Sequence, residues 1–424
     1  MTVAGRLSDF LTQVAAADLP DQALQHAAMI IASTIASAAC GTGIRSAQIV
    51  RELAKEQGGR PDASLWFDAG SKLPVAEAAR VNAMLSDAAA SDDSDLRNIV
   101  HAGTPLTAVS LALAERVDAT GEQVLTAIVA GYEAAGRLSE AVTPGFRRQG
   151  FHGCLGAVFA AAVAAARLLH LNAAGMAQSI AIAATSIGGL ATAADTSTAR
   201  EYHAGLAVLL GCNAALAAQH GYQAEEAILE TPKGFFEAFG GINGTDAAAI
   251  ATAHIGESWD IVTDMAIKLM PGGHPYHAIA EAAANAAREG NISAERIAAI
   301  VVSHPGLSEL IGPRHPADLI DMAHSPAYFA AAGAADRAFS WAHASPAKIG
   351  DPVIHRLIRT VTVGPQPSEN ANRYRQGATV TIRTVDGVTA SSTVHVPKGA
   401  GQLGITWSDI GAKYYLLTRQ PQPT

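Results

Sequence analysis

One change of pattern along this chain constrains its fold more than any other feature. From Val3 to about Ala253, apolar residues recur at helical spacing in segment after segment, with short breaks at Gly41-Thr42-Gly43, Gly58 to Pro61, Asp118 to Gly121 and Thr143 to Gly145. Asp118 to Glu122, followed by Val124, Leu125, Ile128 and Val129, is a capped helix start with an apolar stripe. No strand-like alternation of useful length occurs in this stretch. After His254 the period changes. Arg296 to His304 and Ile358 to Gly364 are β-branched runs that each stop at a proline. Ala378 to Thr384 and Val388 to Val396 flank Val385-Asp386-Gly387, a hairpin signal. Helical segments at His277 to Arg288 and around Asp318 to Ala335 separate these runs. The pattern predicts a mainly α protein: a large all-helical domain over 1–255, a smaller α+β domain with an antiparallel sheet over 256–405, and a C-terminal tail over 406–424. Within that tail, Gln420 to Thr424 reads as disordered.

Composition narrows the function. The chain is 49% hydrophobic but only 16% charged, and tracts such as Ala160 to Ala166 and Ala214 to Ala218 supply much of the apolar share. Such a sequence suits closely packed helices, and its few charges predict a surface partly covered by a subunit partner. A net charge of −9 without a basic stripe excludes a nucleic-acid partner. Cys40, Cys154 and Cys212 form no CxxC pair, which predicts a reducing compartment with neither disulfides nor a zinc knuckle. The N-terminus lacks a signal-peptide core, and the most apolar run, Cys154 to Leu169, is interrupted by Arg167 and too rich in alanine for a bilayer. A cytoplasmic protein with no membrane partner is expected.

The segment Ser91-Asp92-Asp93-Ser94-Asp95 to His101-Ala102-Gly103 places three carboxylates and a histidine on one short connection. It lies between helical segments Val75 to Ala90 and Leu106 to Val117, so rigid elements hold groups that can converge on a ligand. The plainer alternative is an Asp92 helix cap with the other acids in water. Further clusters are His152 before an apolar helix, and Arg200 with His203 three residues apart and cofacial. Lys233 stands in a turn-rich segment, and Lys268, His274 and His277 surround a Pro/Gly turn. Ordinary roles exist for each: a cap, an Arg200–Glu201 surface pair, a solvated turn lysine, a lysine snorkelling at a domain edge. His274 and His277 lie at i and i+3 but no HExxH occurs, and Asp92 and Asp93 lack a matched third ligand by spacing, so no metal is expected. Phosphate loops and the GxSxG elbow are also missing from the sequence.

Taken in order, these clusters resemble the MmgE/PrpD family, which includes 2-methylcitrate dehydratase, cis-aconitate decarboxylase and iminodisuccinate epimerase. The resemblance runs over about residues 5–400. Its marks are Asp92-Asp93-Ser94 followed by His101-Ala102-Gly103, Leu125 to Glu133, Gly150-Phe151-His152, His203-Ala204-Gly205, the set Lys268, Pro271 and His277, and Ala323-His324-Ser325. The resemblance implies a helical domain with an α/β lid domain, a homodimer, and an active site in the cleft between domains. It also implies cofactor-free chemistry on small di- or tricarboxylates. His101 and His152 match two active-site histidines of the decarboxylase branch, and Lys268 matches its second-domain lysine. Three positions depart from that branch: Ala90 replaces an acid, Arg200 a lysine, and Gly273 a histidine or cysteine, with His274 adjacent. After Trp407-Ser408-Asp409 less chain follows than in members whose further helices return to the helical domain.

Chemistry shared across these branches needs cationic anchors for carboxylates and a base near an acidic carbon–hydrogen bond. Arg200 suits bidentate anchoring, and Lys268 suits sharing that task or stabilising an enediolate-like charge. His101 and His152 are the natural acid/base pair, with Asp92 or Asp93 orienting an imidazole or binding a substrate hydroxyl or amine. The expected catalytic set is thus His101, His152, Lys268 and Asp93, and the expected substrate-binding set is Asp92, Ser94, Arg200, His203, His274 and His277. Neither a cofactor nor a metal is expected. The reaction expected first is a dehydratase-type elimination on a small hydroxy di- or tricarboxylate. Epimerisation of a dicarboxylate such as an iminodisuccinate-like substrate is the alternative, and a non-catalytic small-acid binding protein is a third, suggested by Ala90 and Gly273.

Overall fold

A computed structural model describes residues 1–186, 188–367 and 375–419. The chain is mainly α and divides into two compact units, Lys268–Ile405 and the remainder. At the heart of the first unit is the Cys154–Leu168 helix, in which every residue but Arg167 is buried. Helices Gly103–Val117, Gly121–Val142 and Ala199–Gln219 pack around it. Glycine and alanine permit that proximity: a Cβ on Gly131 would lie 2.7 Å from the Ala160 carbonyl, and one on Gly211 2.5 Å from that of Val158. Alanine-rich tracts here are therefore contact surfaces, where many close atom pairs supply the cohesion that large side chains supply elsewhere. Arg167 is the exception with a purpose. Its guanidinium donates to the carbonyls of Leu11, Thr12 and Val14 at 3.0, 2.6 and 2.7 Å, closing the end of the Val3–Gln13 helix.

One described helix, Asp21–Gly41, is long and apolar enough to cross a membrane, and more than half of that apolar stretch is buried within the fold. It packs on Val75–Ala88 and on Trp407–Arg419, and its buried Ser33 and Ser37 make internal hydrogen bonds.

Two short antiparallel ribbons interrupt the helices, where the pattern predicted none: Ala63–Ser64 with Lys72–Leu73, and Asp93–Asp95 with Met265–Ile267. Strands of two or three residues are too short for alternation to register. The second ribbon also moves the boundary. Because Met265–Ile267 pairs back onto Asp93–Asp95, the first unit extends to Ile267 rather than 255. Residues 406–419 likewise belong to the first unit and are not a separate tail: the Trp407–Arg419 helix buries Ile410, Lys413 and Leu417 there. Gln420 to Thr424 lie outside the described residues.

In the second unit a four-stranded sheet has the order Val361–Val363, Ile297–Ser303, Ala378–Thr384, Thr389–Val394. The expected hairpin is present, with Ala378 opposite Val394, and its turn places Gly387 at φ +87°. However, Val361–Val363 runs parallel to Ile297–Ser303, so the sheet is mixed rather than purely antiparallel. Helices including Pro326–Asp336 and Pro352–Ile358 intervene between those two strands, which gives the crossover that parallel pairing needs. Ile300, Val302, Val380 and Ile382 share one core with Ile279 and Ala283 of the His277–Glu289 helix and with Tyr328 and Phe329.

Candidate active site

The acidic connection is pinned at both ends and in the middle. The Val75–Ala88 helix ends before it, and Ala90 takes the left-handed conformation at φ +51°. This small residue replaces the expected acid at a position where the backbone turns sharply. Pairing of Asp93 with Ile267 and Asp95 with Met265 then fixes the segment. Asp92, Asp93 and Asp95 are all buried, as are Ser91 and Ser94, so the acids do not face water.

That burial organises His101. Its Nδ1 lies 2.6 Å from the Asp93 carbonyl, 2.8 Å from Asp92 Oδ2 and 3.0 Å from Ser94 Oγ. Hydrogen bonds join this nitrogen to the Asp93 carbonyl and to Ser94 Oγ, and the Asp92 carboxylate makes an ion contact with it. Oxygens on this side place the proton on Nδ1 in the neutral ring, so Nε2 is the accepting nitrogen. Asp93 accepts from the Gly103 N–H at 2.8 Å, an approach that requires glycine, since a Cβ on Gly103 would sit 2.6 Å from Asp93 Oδ1. Burial, and next the adjacent Asp92 carboxylate, push the Asp93 carboxyl up to about 6.

His152 and His203 extend a row of imidazoles, with ring centroids 6.5 Å apart for His101–His152 and 5.4 Å for His152–His203. The His152 backbone N–H donates to Gly189 at 3.0 Å, beside the Phe151–Leu190 bridge. Burial holds His152 well below the usual imidazole range, and the neighbouring His101, His203, Arg147 and Arg200 act in the same sense. His203 is also lowered by burial, which Asp87 opposes. The Cys154 thiol donates to the Gly188 carbonyl at 3.1 Å and is pushed up to about 12 by burial and then by Asp87. His152, Cys154 and His203 each offer a ligand atom, all within 4.8 Å of one another, although spacing alone predicted no metal-capable group.

Arg200 and His203 share a helix but serve different neighbours. Arg200 is paired with Asp87 at 3.2 Å and donates to the carbonyls of Asp87 and Ala88 at 2.7 and 3.3 Å. It therefore clasps the last turn of the helix that leads into the acidic connection, while Glu201 accepts from Ser46.

Two groups escaped sequence reasoning. Arg97 is ion-paired with Asp95 at 3.6 Å, with Asp264 at 3.3 Å and closely with Asp260, beneath the ribbon. Buried Lys413 donates to Ser33 Oγ at 2.8 Å and to the Ser91 carbonyl, while Ser37 Oγ reaches the same carbonyl at 3.2 Å. The partners of Lys413 lie more than 300 residues away, and Asp260 and Asp264 stand far from Arg97 in sequence, so neither group leaves a local signal.

In the second unit, Lys268 is buried directly after Ile267, and His274 and His277 are fully buried with rings 4.6 Å apart. His277 also stacks on Phe329 at 6.0 Å. Gly273 has a packing explanation: its N–H donates to Ala323 at 2.9 Å, and a Cβ would lie 2.8 Å from that carbonyl. Ser325 of the Ala323-His324-Ser325 motif caps the Pro326–Asp336 helix. Lys233 is an exposed residue at φ +61° in a turn.

A model of the MmgE/PrpD N-terminal domain matches residues 5–247, and one of the MmgE/PrpD C-terminal domain matches residues 270–423. No curated protein matches the chain. Two domain models in the right order span most of the sequence, and the chain belongs to the MmgE/PrpD family.

Proposed function

We propose that this member of a family that includes dehydratases is a cofactor-independent lyase, eliminating water from a small hydroxy di- or tricarboxylate. The observation that carries the reading is His101, whose Nδ1 is engaged by the Asp93 carbonyl and faces Asp92 and Ser94. With that nitrogen protonated, Nε2 takes the proton from the carbon alpha to a substrate carboxylate. The carbon–hydrogen electron pair passes through an enediolate-like state into the new double bond. The carbon–oxygen bond breaks as the departing hydroxyl receives a proton and leaves as water.

Asp93, with a carboxyl held up to about 6, is the proton carrier for that second step near neutral pH. His152, kept neutral beside His101, relays or receives a proton. Asp92, Ser94 and His203 border the same row of imidazoles and bind substrate oxygens. Arg200 contributes positive charge to the row while remaining clasped to Asp87. Lys268, His274 and His277 stay candidates on the family resemblance, Lys268 as a carboxylate anchor. A cytoplasmic homodimer is part of this proposal.

The competing reading, epimerisation, draws on the 6.5 Å between the His101 and His152 rings, room for one carbon between two bases. Incubating the protein in deuterium oxide with a panel of hydroxy di- and tricarboxylates separates the readings. An unsaturated product is expected. Deuterium wash-in with inversion and no alkene establishes an epimerase instead, and saturable binding without exchange or product establishes a binding protein.

A further inference from the structure

We propose that His152, Cys154 and His203 form a binding site for a single thiophilic divalent cation of the zinc class. Two imidazole nitrogens and a sulfur lie within 4.8 Å of one another. His203 is 7% exposed, and among the described residues neither its Nδ1 nor the buried His152 Nδ1 has a hydrogen-bond partner. Buried imidazole nitrogens left in that state are costly, and a metal ion is one of the few guests that satisfies both at once. Backbone geometry keeps the trio close. Gly189, at φ +113°, tolerates no side chain, since a Cβ there would lie 2.6 Å from Cys154 Sγ and 3.2 Å from His203 Nδ1. A cavity of about 10 Å³ adjoins Cys154, Gly188 and His203, room for one atom-sized guest.

The donor set selects the metal. Nitrogen and thiolate sulfur suit zinc and its soft neighbours, whereas magnesium and calcium require oxygen. Bond lengths of about 2.0 Å to nitrogen and about 2.3 Å to sulfur place tetrahedral ligands roughly 3.3–3.7 Å apart. Closing the trio by about an ångström is within reach of side-chain rotation. On binding, the thiol loses its proton to solvent and gives up its bond to the Gly188 carbonyl, and sulfur–metal and nitrogen–metal bonds replace it. Three protein ligands leave a fourth position for water. A metal held here immobilises His152, so it inhibits rather than assists the proton transfer proposed above. The site itself stands whether or not that reaction is the right one.

The test uses the full chain stripped with a chelator. Zinc is titrated in competition with a chromophoric chelator, and cobalt(II) serves as the spectroscopic probe. Expected are a single equivalent of bound metal, a thiolate-to-cobalt charge-transfer band, and the intense visible bands of a tetrahedral site. Cys154→Ser removes the charge-transfer band, and both it and His203→Gln weaken binding by at least about 10–100-fold. Cys212→Ala and His220→Gln leave binding unchanged. Zinc-edge X-ray absorption on the wild-type chain gives an answer independent of any variant's folding, with one sulfur at about 2.3 Å expected in the shell. Failure to bind a stoichiometric equivalent, a shell of nitrogen and oxygen alone, or an unaltered charge-transfer band in Cys154→Ser overturns the proposal.

Discussion

Asp93 sits in an environment that its neighbours in sequence do not suggest. Its carboxyl is raised from 3.8 to about 6, first by burial and then by Asp92. An acid raised in the folded state binds its proton more tightly there than in the unfolded chain. Its contribution to stability is therefore intact below about pH 4 and is lost as pH rises through about 6. The loss amounts to about 3 kcal/mol at most, at 1.36 kcal/mol per unit. Urea titrations of Asp93→Asn between pH 4 and 7.5 are expected to show a flatter pH dependence and a higher midpoint than wild type at pH 7. An unchanged profile assigns the proton to another group. At the same scale, His101→Ala is expected to lower turnover on the true substrate by about 10²–10⁴-fold with a much smaller change in KM. Wild-type turnover in that variant makes His101 a structural residue. The acidic turn followed by His101 was legible in the sequence as a constellation. What spacing did not carry was burial: Asp93 and Asp95 pair with a ribbon partner some 170 residues away and are out of water, and burial raises Asp93.

Among elements, length decided what was readable. The seven-residue β-branched run Ile297–Ser303 and the Val385-Asp386-Gly387 turn announce themselves, because alternation and turn chemistry act locally. The three-residue ribbon Asp93–Asp95 with Met265–Ile267 does not, and neither does strand order, which depends on a crossover rather than on pattern. The same limit applies to Arg200, read from sequence as a substrate anchor and found clasping the end of the Val75–Ala88 helix. Arg200 and Asp87 are 13% and 4% exposed, so removing the cation strands a buried carboxylate. Arg200→Ala is expected to destabilise the first unit by about 3–5 kcal/mol, read as a fall in denaturation midpoint. A variant of wild-type stability with only a raised KM returns Arg200 to a pure anchoring role.

At the scale of the molecule, assembly and internal architecture are tested separately. The few charges and the family resemblance lead to an expected homodimer, and light scattering at micromolar concentration should give about twice the 43.4 kDa chain mass; a monomer removes that part of the proposal. The internal question is the C-terminal helix. Helical and strand periods revealed two units, but nothing near Trp407 signals that the chain re-enters the first of them. The signal lies in pairing across the chain, where Lys413 reaches Ser33 and the Ser91 carbonyl next to Asp92. Ending the chain before Thr406 removes the buried Ile410, Lys413 and Leu417 together. At about 1.5–3 kcal/mol for each large apolar side chain, the first unit should lose roughly 3–6 kcal/mol from Ile410 and Leu417 alone. Lys413→Met isolates the polar part: the helix stays packed, but the Ser91 carbonyl keeps Ser37 and loses the lysine as a donor, costing about 0.5–1.5 kcal/mol. Because Ser91 precedes the segment that holds His101, the His101 ring proton resonances should move in Lys413→Met even where the protein remains fully folded. Unmoved resonances with lowered stability mean that the helix braces the unit without positioning the histidine.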